Sequence, residues 1–240
     1  MGKTESLMEE IFSKGRKALA LLVDPDKPLN SEEIERWDEV VDLWLVGGSL
    51  IANGDVAETV RVIKAHSNKP VVLFPGPGMP IVKADAILFM SLISGRNPEL
   101  LIGQQVINAP IVRKLGLEVL PTAYLIVGNR YTAAHYMSFT SPIPEKKELV
   151  EATALAGLYL GFRYFYLDGG SGGNPISPEV IKVVAETTRR PVFVGGGITT
   201  ADQCIRAWNS GATFVVIGTA VENGILKPDE LWSVIQDWKQ

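Results

Sequence analysis

VFVGGGITT (residues 192–200) and VVIGTAVEN (residues 215–223) each run from a β-branched segment through glycine into a helical pattern. Glycine turns let backbone N–H groups face an anion, and the N-terminus of a following helix adds its own positive end. Two such loops in succession, closing a chain of strand-helix units, make the phosphate cup found after strands seven and eight of a (β/α)8 barrel. Taken singly, either loop reads equally as a tight structural turn.

Working back toward the N-terminus, six more strand-like runs precede these two: residues 18–24 (ALALLVD), 42–47 (DLWLVG), 70–74 (PVVLF), 86–92 (AILFMSL), 117–127 (LEVLPTAYLIV) and 162–168 (FRYFYLD). With 191–195 and 213–218 they make eight. Their near-continuous hydrophobicity, in place of alternation, predicts parallel strands covered on both faces. Helical patterns fill the gaps at 31–39, 56–66, 98–114, 145–161, 178–189 and 201–210, with a Pro at the first helical position after Ser177. Between strands three and four stands only PGPGMPIVKAD, whose prolines and glycines cannot form a regular helix. The expectation is therefore a single α/β domain over residues 1–240, a TIM (β/α)8 barrel whose third helix is replaced by a loop or extended segment. The polar-aromatic stretch 128–144, after strand five, is a long connection on the face where barrel active sites lie. It reads as a lid or as a solvated excursion.

Composition narrows the function classes. The 240 residues carry 23 Lys plus Arg against 27 Asp plus Glu, a net charge of −4, without the basic stripe that nucleic acid demands. A hydrophobic share of 46% provides a sizeable core. One cysteine, Cys204, excludes an intrachain disulfide and a Cys-rich metal site. No apolar run reaches the length of a membrane helix, and the polar start lacks a signal-peptide core, so a cytoplasmic protein is expected. Met1-Gly2 with Ser6 fits the loose myristoylation pattern, a match common by chance. No HExxH, GxSxG or GxxxxGKS motif occurs.

The residues that carry chemistry fall at strand ends. Asp24 closes strand one and Ser49 follows strand two; a carboxylate and a hydroxyl side by side suit a hard cation such as Mg2+. Spacing alone leaves Asp24 open between ligand and turn residue, the turn being the commoner use of aspartate. Strand six ends in YLDGGSGG (residues 166–173), where Asp168 could orient a substrate hydroxyl, accept its proton, or simply make an Asp-Gly turn. Tyr124 in strand five is core for most of its ring, with a hydroxyl that needs a polar partner. His66 and Cys204 read as structural or surface residues, and His135 lies in the long loop without a partner motif.

LLVDPDKP, LVGGSL, FPG, LISGRNPELLIGQQV, LPTAYLIV, YLDGGSGG, VGGGI and VIGTAVE, in this order, resemble the geranylgeranylglyceryl phosphate synthase family, in its larger subgroup of archaeal and Bacteroidetes-type enzymes. The resemblance implies Mg2+-dependent transfer of a long prenyl group from its diphosphate to the 3-hydroxyl of sn-glycerol 1-phosphate, giving an ether lipid precursor. By motif it assigns Asp24 and Ser49 to the metal, and Tyr166, Leu167, Asp168, Gly169, Gly170, Ser171, Gly172, Gly196, Gly197, Gly218 and Thr219 to glycerol phosphate. Asp168 and Tyr124 are the catalytic candidates. It also implies a missing third helix, a homo-oligomer (dimer or hexamer) and, for a lipid-making enzyme, transient contact with a membrane surface. One departure stands out: position 168 is Asp where many members carry Glu, which retracts the carboxylate by about one bond length, roughly 1.5 Å. Whether it takes the proton or only orients the hydroxyl stays open. Leu100 or Leu101 is the candidate wall of the prenyl groove. The rival readings are a sugar-phosphate isomerase, disfavoured because no lysine stands at a strand end, and a non-catalytic phosphate-binding barrel.

Overall fold

Each of the eight apolar runs is a strand: β1 Ala18–Val23, β2 Leu43–Val46, β3 Val71–Leu73, β4 Ala86–Leu92, β5 Glu118–Ile126, β6 Tyr164–Asp168, β7 Val192–Gly195 and β8 Phe214–Ile217. In this computed structural model, which describes residues 2–128 and 131–239, they pair in parallel and in sequence order. Ala18 of β1 stands beside Phe214 of β8, which closes the barrel.

The strands are buried on both faces, as their unbroken hydrophobicity requires. Successive side chains divide between two cores. Ala18, Ala20, Leu43, Leu45, Val72, Leu88, Leu120, Tyr164, Phe193 and Phe214 fill the barrel interior. Leu19, Leu21, Trp44, Val46, Val71, Leu73, Leu125, Phe165 and Leu167 pack outward under the helices.

The outer layer comprises α2 Ser31–Asp38, α3 Val56–His66, α4 Gln104–Leu115, α6 Lys147–Tyr159, α7 Pro178–Thr188 and α8 Ala201–Asn209, with short α9 Thr219–Glu222 and C-terminal α10 Pro228–Lys239. Between β3 and β4 no helix forms, as the prolines and glycines dictate. Three helices lie outside the sequence expectation, the C-terminal α10 being one. The polar start folds as α1 Lys3–Ser13, which drives Met8 and Ile11 into the bottom of the barrel. Within the long connection after β5, α5 Ala133–Met137 forms, with Ala134 and His135 buried. Ala134, His135 and Ser138 of that segment pack inward while Tyr131, Tyr136 and Phe139 stay exposed; its Asn129 and Arg130, like Met1 of the myristoylation pattern, lie outside the described residues.

The helix expected at 98–114 is corrected at its start. Residues Glu99–Gly103 form a wider π turn before α4. The Ser91 hydroxyl donates to the Leu101 carbonyl at 2.9 Å, and the Gln105 amide donates to the carbonyls of Met90 and Leu100. Carbonyls taken by such partners do not serve a regular helical ladder.

Candidate active site

At the C-terminal mouth of the barrel the strand ends converge on a cavity of about 420 Å³. Asp24, Ser49, Tyr124, Tyr166, Asp168, Ser171, Gly172, Gly196, Gly197, Gly218 and Thr219 all line it, from six strands and their loops. Three expected substrate residues do not. Leu167 points outward into the helix-sheet core, because side chains alternate along β6 and Tyr166 and Asp168 take the inward positions. Gly169 and Gly170 lie behind the cavity wall, where the Gly170 N–H donates to Asp168 Oδ1 at 2.6 Å.

The glycine loops are shaped by contact. Gly196 has φ +83°, and a Cβ there would fall 2.4 Å from the Gly170 nitrogen and 2.7 Å from Asp168 Oδ1. Only glycine fits, so the loops after β6 and β7 interlock directly beneath the carboxylate. Across the cup, the Ser171 and Thr219 hydroxyls hydrogen-bond at 2.7 Å and tie the loop after β6 to α9.

Asp168 is almost wholly buried, and its other oxygen, Oδ2, accepts a short hydrogen bond from the Tyr124 hydroxyl. Burial pushes its pKa above the ordinary carboxylate value, while the Tyr124 hydroxyl and the Gly170 N–H oppose the rise. Burial and then the Asp168 charge push the Tyr124 phenol far up, so Tyr124 stays a neutral donor. The result is a carboxylate more basic than a solvated one, held in one orientation. That is what a general base needs.

His135 of α5 completes the surroundings. Its Nδ1 accepts the Thr132 N–H at 3.0 Å, and Thr132 lies against Gly170. Burial lowers the His135 pKa, against the pull of Asp168. The segment after β5 thus covers the strand-six tip as a lid would.

Asp24 and Ser49 sit on the opposite wall. Asp24 Oδ1 accepts the Asp26 N–H at 3.0 Å. Its Oδ2 and the Ser49 hydroxyl make no hydrogen bond to protein among the described residues. No group of three His, Cys, Asp or Glu capable of holding a metal exists among the described residues. One carboxylate oxygen and one hydroxyl fit a hard cation that keeps water and substrate phosphate as its remaining ligands.

A second cavity of about 230 Å³ continues from the first through Gly48, Ser49, Phe74 and Tyr124, which line both. Its walls include Met79, Ile87, Phe89, Met90, Leu92, Leu100 and Met137. Leu100 is a wall residue as expected; Leu101 is not. Phe74 meets Tyr124 edge-on at 6.0 Å and Tyr166 at 5.0 Å, so three aromatic rings mark the junction. Sequence reasoning passed over Phe74, although FPG is itself a strand end. It also passed over Lys27 and Glu222, which line the larger cavity and pair at 3.0 Å. No lysine stands at a strand end, but Lys27 reaches the cavity from the loop beyond the end of β1.

Comparison with known proteins decides the family. The PcrB family matches residues 13–236. The chain belongs to that family. The geranylgeranylglyceryl phosphate synthase of Spirosoma linguale is 42% identical over 98% of both chains, and that of Pyrococcus abyssi is 41% identical over 93% of this chain and 91% of its own. A crystal structure of (S)-3-O-geranylgeranylglyceryl phosphate synthase from Thermoplasma acidophilum, in complex with substrate sn-glycerol-1-phosphate, is 29% identical with a TM-score of 0.89, covering 100% of this chain and 99% of that one. A tryptophan synthase alpha-subunit from Pyrococcus furiosus, 14% identical with a TM-score of 0.58, shares the barrel fold with this PcrB-family chain.

Proposed function

We propose that this protein is a prenyltransferase that moves a geranylgeranyl or similar long prenyl group from its diphosphate to the 3-hydroxyl of sn-glycerol 1-phosphate. The observation that carries the reading is the junction itself. A glycine-walled polar cup and an apolar cavity meet at Ser49, Phe74 and Tyr124, so a phosphorylated polyol and a hydrocarbon chain can meet end to end. The full-length likeness to geranylgeranylglyceryl phosphate synthases supports the same chemistry.

In this mechanism the loops after β7 and β8 hold the glycerol phosphate and present its 3-hydroxyl to Asp168, converting a bimolecular encounter into a local one. The bond from the allylic carbon to the diphosphate oxygen breaks, and the glycerol oxygen forms the new ether bond to that carbon. Asp168 takes the hydroxyl proton while Tyr124 and Gly170 keep its carboxylate aimed. Aromatic faces at the junction favour positive charge, which suits the cationic character of the allylic carbon. Asp24 and Ser49 would hold Mg2+, which when bound would supply charge neutralisation to the leaving diphosphate.

The reading extends to a homo-oligomer, a dimer or hexamer, and to passing contact with a membrane surface. Exposed Ile102, Val106, Ile107 and Ile111 along the π turn and α4 support either, being an apolar face beside the hydrocarbon cavity. No helix is long and apolar enough to cross a membrane among the described residues. A cytoplasmic site of action is supported by the lone, buried Cys204.

The test is incubation with sn-glycerol 1-phosphate, radiolabelled geranylgeranyl diphosphate and Mg2+, followed by solvent extraction. Labelled ether product is expected. Saturable glycerol 1-phosphate binding with no ether from any prenyl length would instead leave a binding barrel.

A further inference from the structure

We propose that Asp26 is a positioning residue for the cation site: its carboxylate clasps the loop after β2 to the loop after β1 and so fixes Ser49 relative to Asp24. The inference rests on the reading of Asp24 and Ser49 as cation ligands and adds to it how two ligands on separate loops keep their spacing.

Three consecutive backbone N–H groups converge on Asp26. Ala52 donates to Oδ2 at 2.8 Å, and Asn53 and Gly54 donate to Oδ1 at 2.8 and 2.5 Å. Such a converging set forms an anion nest, and charge-assisted bonds of this kind are about twice as strong as neutral ones. No other hydrogen bond ties residues 48–54 to the rest of the protein among the described residues. Beyond the clasp, Asp55 caps α3 by accepting the Ala57 and Glu58 N–H groups, so the far end of the loop is anchored independently.

The same residue orients Asp24. The Asp26 N–H occupies Asp24 Oδ1, and a Cβ on Gly48 would lie 3.1 Å from Oδ2. Oδ1 and Cγ would lie as close, at 3.2 Å, so the whole carboxylate packs against the residue that precedes Ser49. The two loops also touch through their backbones: a Cβ on Gly54 would fall 2.2 Å from the Pro25 carbonyl carbon. One side chain and one close approach thus register the two ligand-bearing loops.

In Asp26→Asn one acceptor oxygen becomes an amide that faces backbone donors, so the nest loses its charge and at least one bond. Gly54→Ala attacks the same register from the opposite loop and leaves the Asp26 side chain intact. The probe is Mn2+ alone, titrated against the full-length protein and followed by the electron paramagnetic resonance signal of the free ion. Calorimetric binding of glycerol 1-phosphate reports on the far wall. Both variants should weaken Mn2+ binding about tenfold or more, the worth of one charge-assisted hydrogen bond, and leave glycerol 1-phosphate affinity unmoved. Half-saturating Mg2+ in turnover should rise in parallel.

Asp24→Ala separates the two layers of the argument. If it abolishes Mn2+ binding while Asp26→Asn and Gly54→Ala bind as wild type, the positioning role is wrong and the ligand assignment stands. If Asp24→Ala itself binds Mn2+ as wild type, both fall. Parallel loss of Mn2+ and glycerol 1-phosphate binding in both clasp variants would mean general structural damage and would likewise overturn the role. Should Asp26→Asn fail to fold, Gly54→Ala decides.

Discussion

Replacing Tyr124 with Phe deletes one oxygen and leaves the ring, which stays packed against Phe74 and Tyr166. The lost group is the hydroxyl that donates to Asp168 Oδ2. Burial, the main cause of the raised Asp168 pKa, is untouched, whereas a bond that favours the charged form is gone. The pKa must therefore rise further. A hydrogen bond to a charged group is worth about 1.5–3 kcal/mol net, which at about 1.4 kcal/mol per pH unit shifts the titration upward by roughly one to two pH units. The observable is the acid limb of kcat/KM against pH, which reports the free enzyme's base. Activity is present while Asp168 is ionised and falls as pH drops through its pKa. Tyr124→Phe should thus lose activity at a higher pH than wild type and recover much of it on the alkaline side. An acid limb that stays put, or moves down, would refute the assignment of Asp168 as the base tuned by Tyr124. Asp168→Asn should remove most activity at every pH.

Gly196→Ala places a side chain at φ +83° and against Gly170, so glycerol 1-phosphate affinity should drop by about tenfold or more, measured by calorimetry. Gly224→Ala serves as its control: φ is +63° with open space around the new Cβ, so it should lower stability by about 1 kcal/mol and leave binding intact. Leu100→Trp should shorten the accepted prenyl chain, read by mass spectrometry of the product, whereas an unchanged product distribution would remove Leu100 from the groove wall. Met8→Ala, at the barrel bottom, should cost about 2–5 kcal/mol in denaturant unfolding without changing substrate affinity.

The barrel was legible because each strand is buried twice over, which demands an uninterrupted run of apolar residues that no loop needs. The absent third helix was legible for the opposite reason, since PGPGMP supplies too few backbone donors for one. Helix α1 was hidden: only Met8 and Ile11 enter the core, and its acidic residues bond across the barrel base, Glu5 with Arg163 and Glu9 with the Tyr164 hydroxyl. Nothing local signals such long-range partners. Asp24, Ser49 and Asp168 could be found because topology alone brings strand ends together. Lys27 and Glu222 could not, because their pairing joins residues 195 positions apart. Leu167 shows the limit of motif transfer, since a motif carries every letter of YLDGGSGG while the pleat turns one of them away.

The decisive event in the reaction is that the glycerol hydroxyl oxygen becomes the ether oxygen. Glycerol 1-phosphate carrying heavy oxygen at its 3-hydroxyl, turned over with geranylgeranyl diphosphate and Mg2+, tests this by mass spectrometry of both products. The prediction is an ether that retains the heavy oxygen beside an unlabelled diphosphate. An unlabelled ether, or no ether at all, would contradict it.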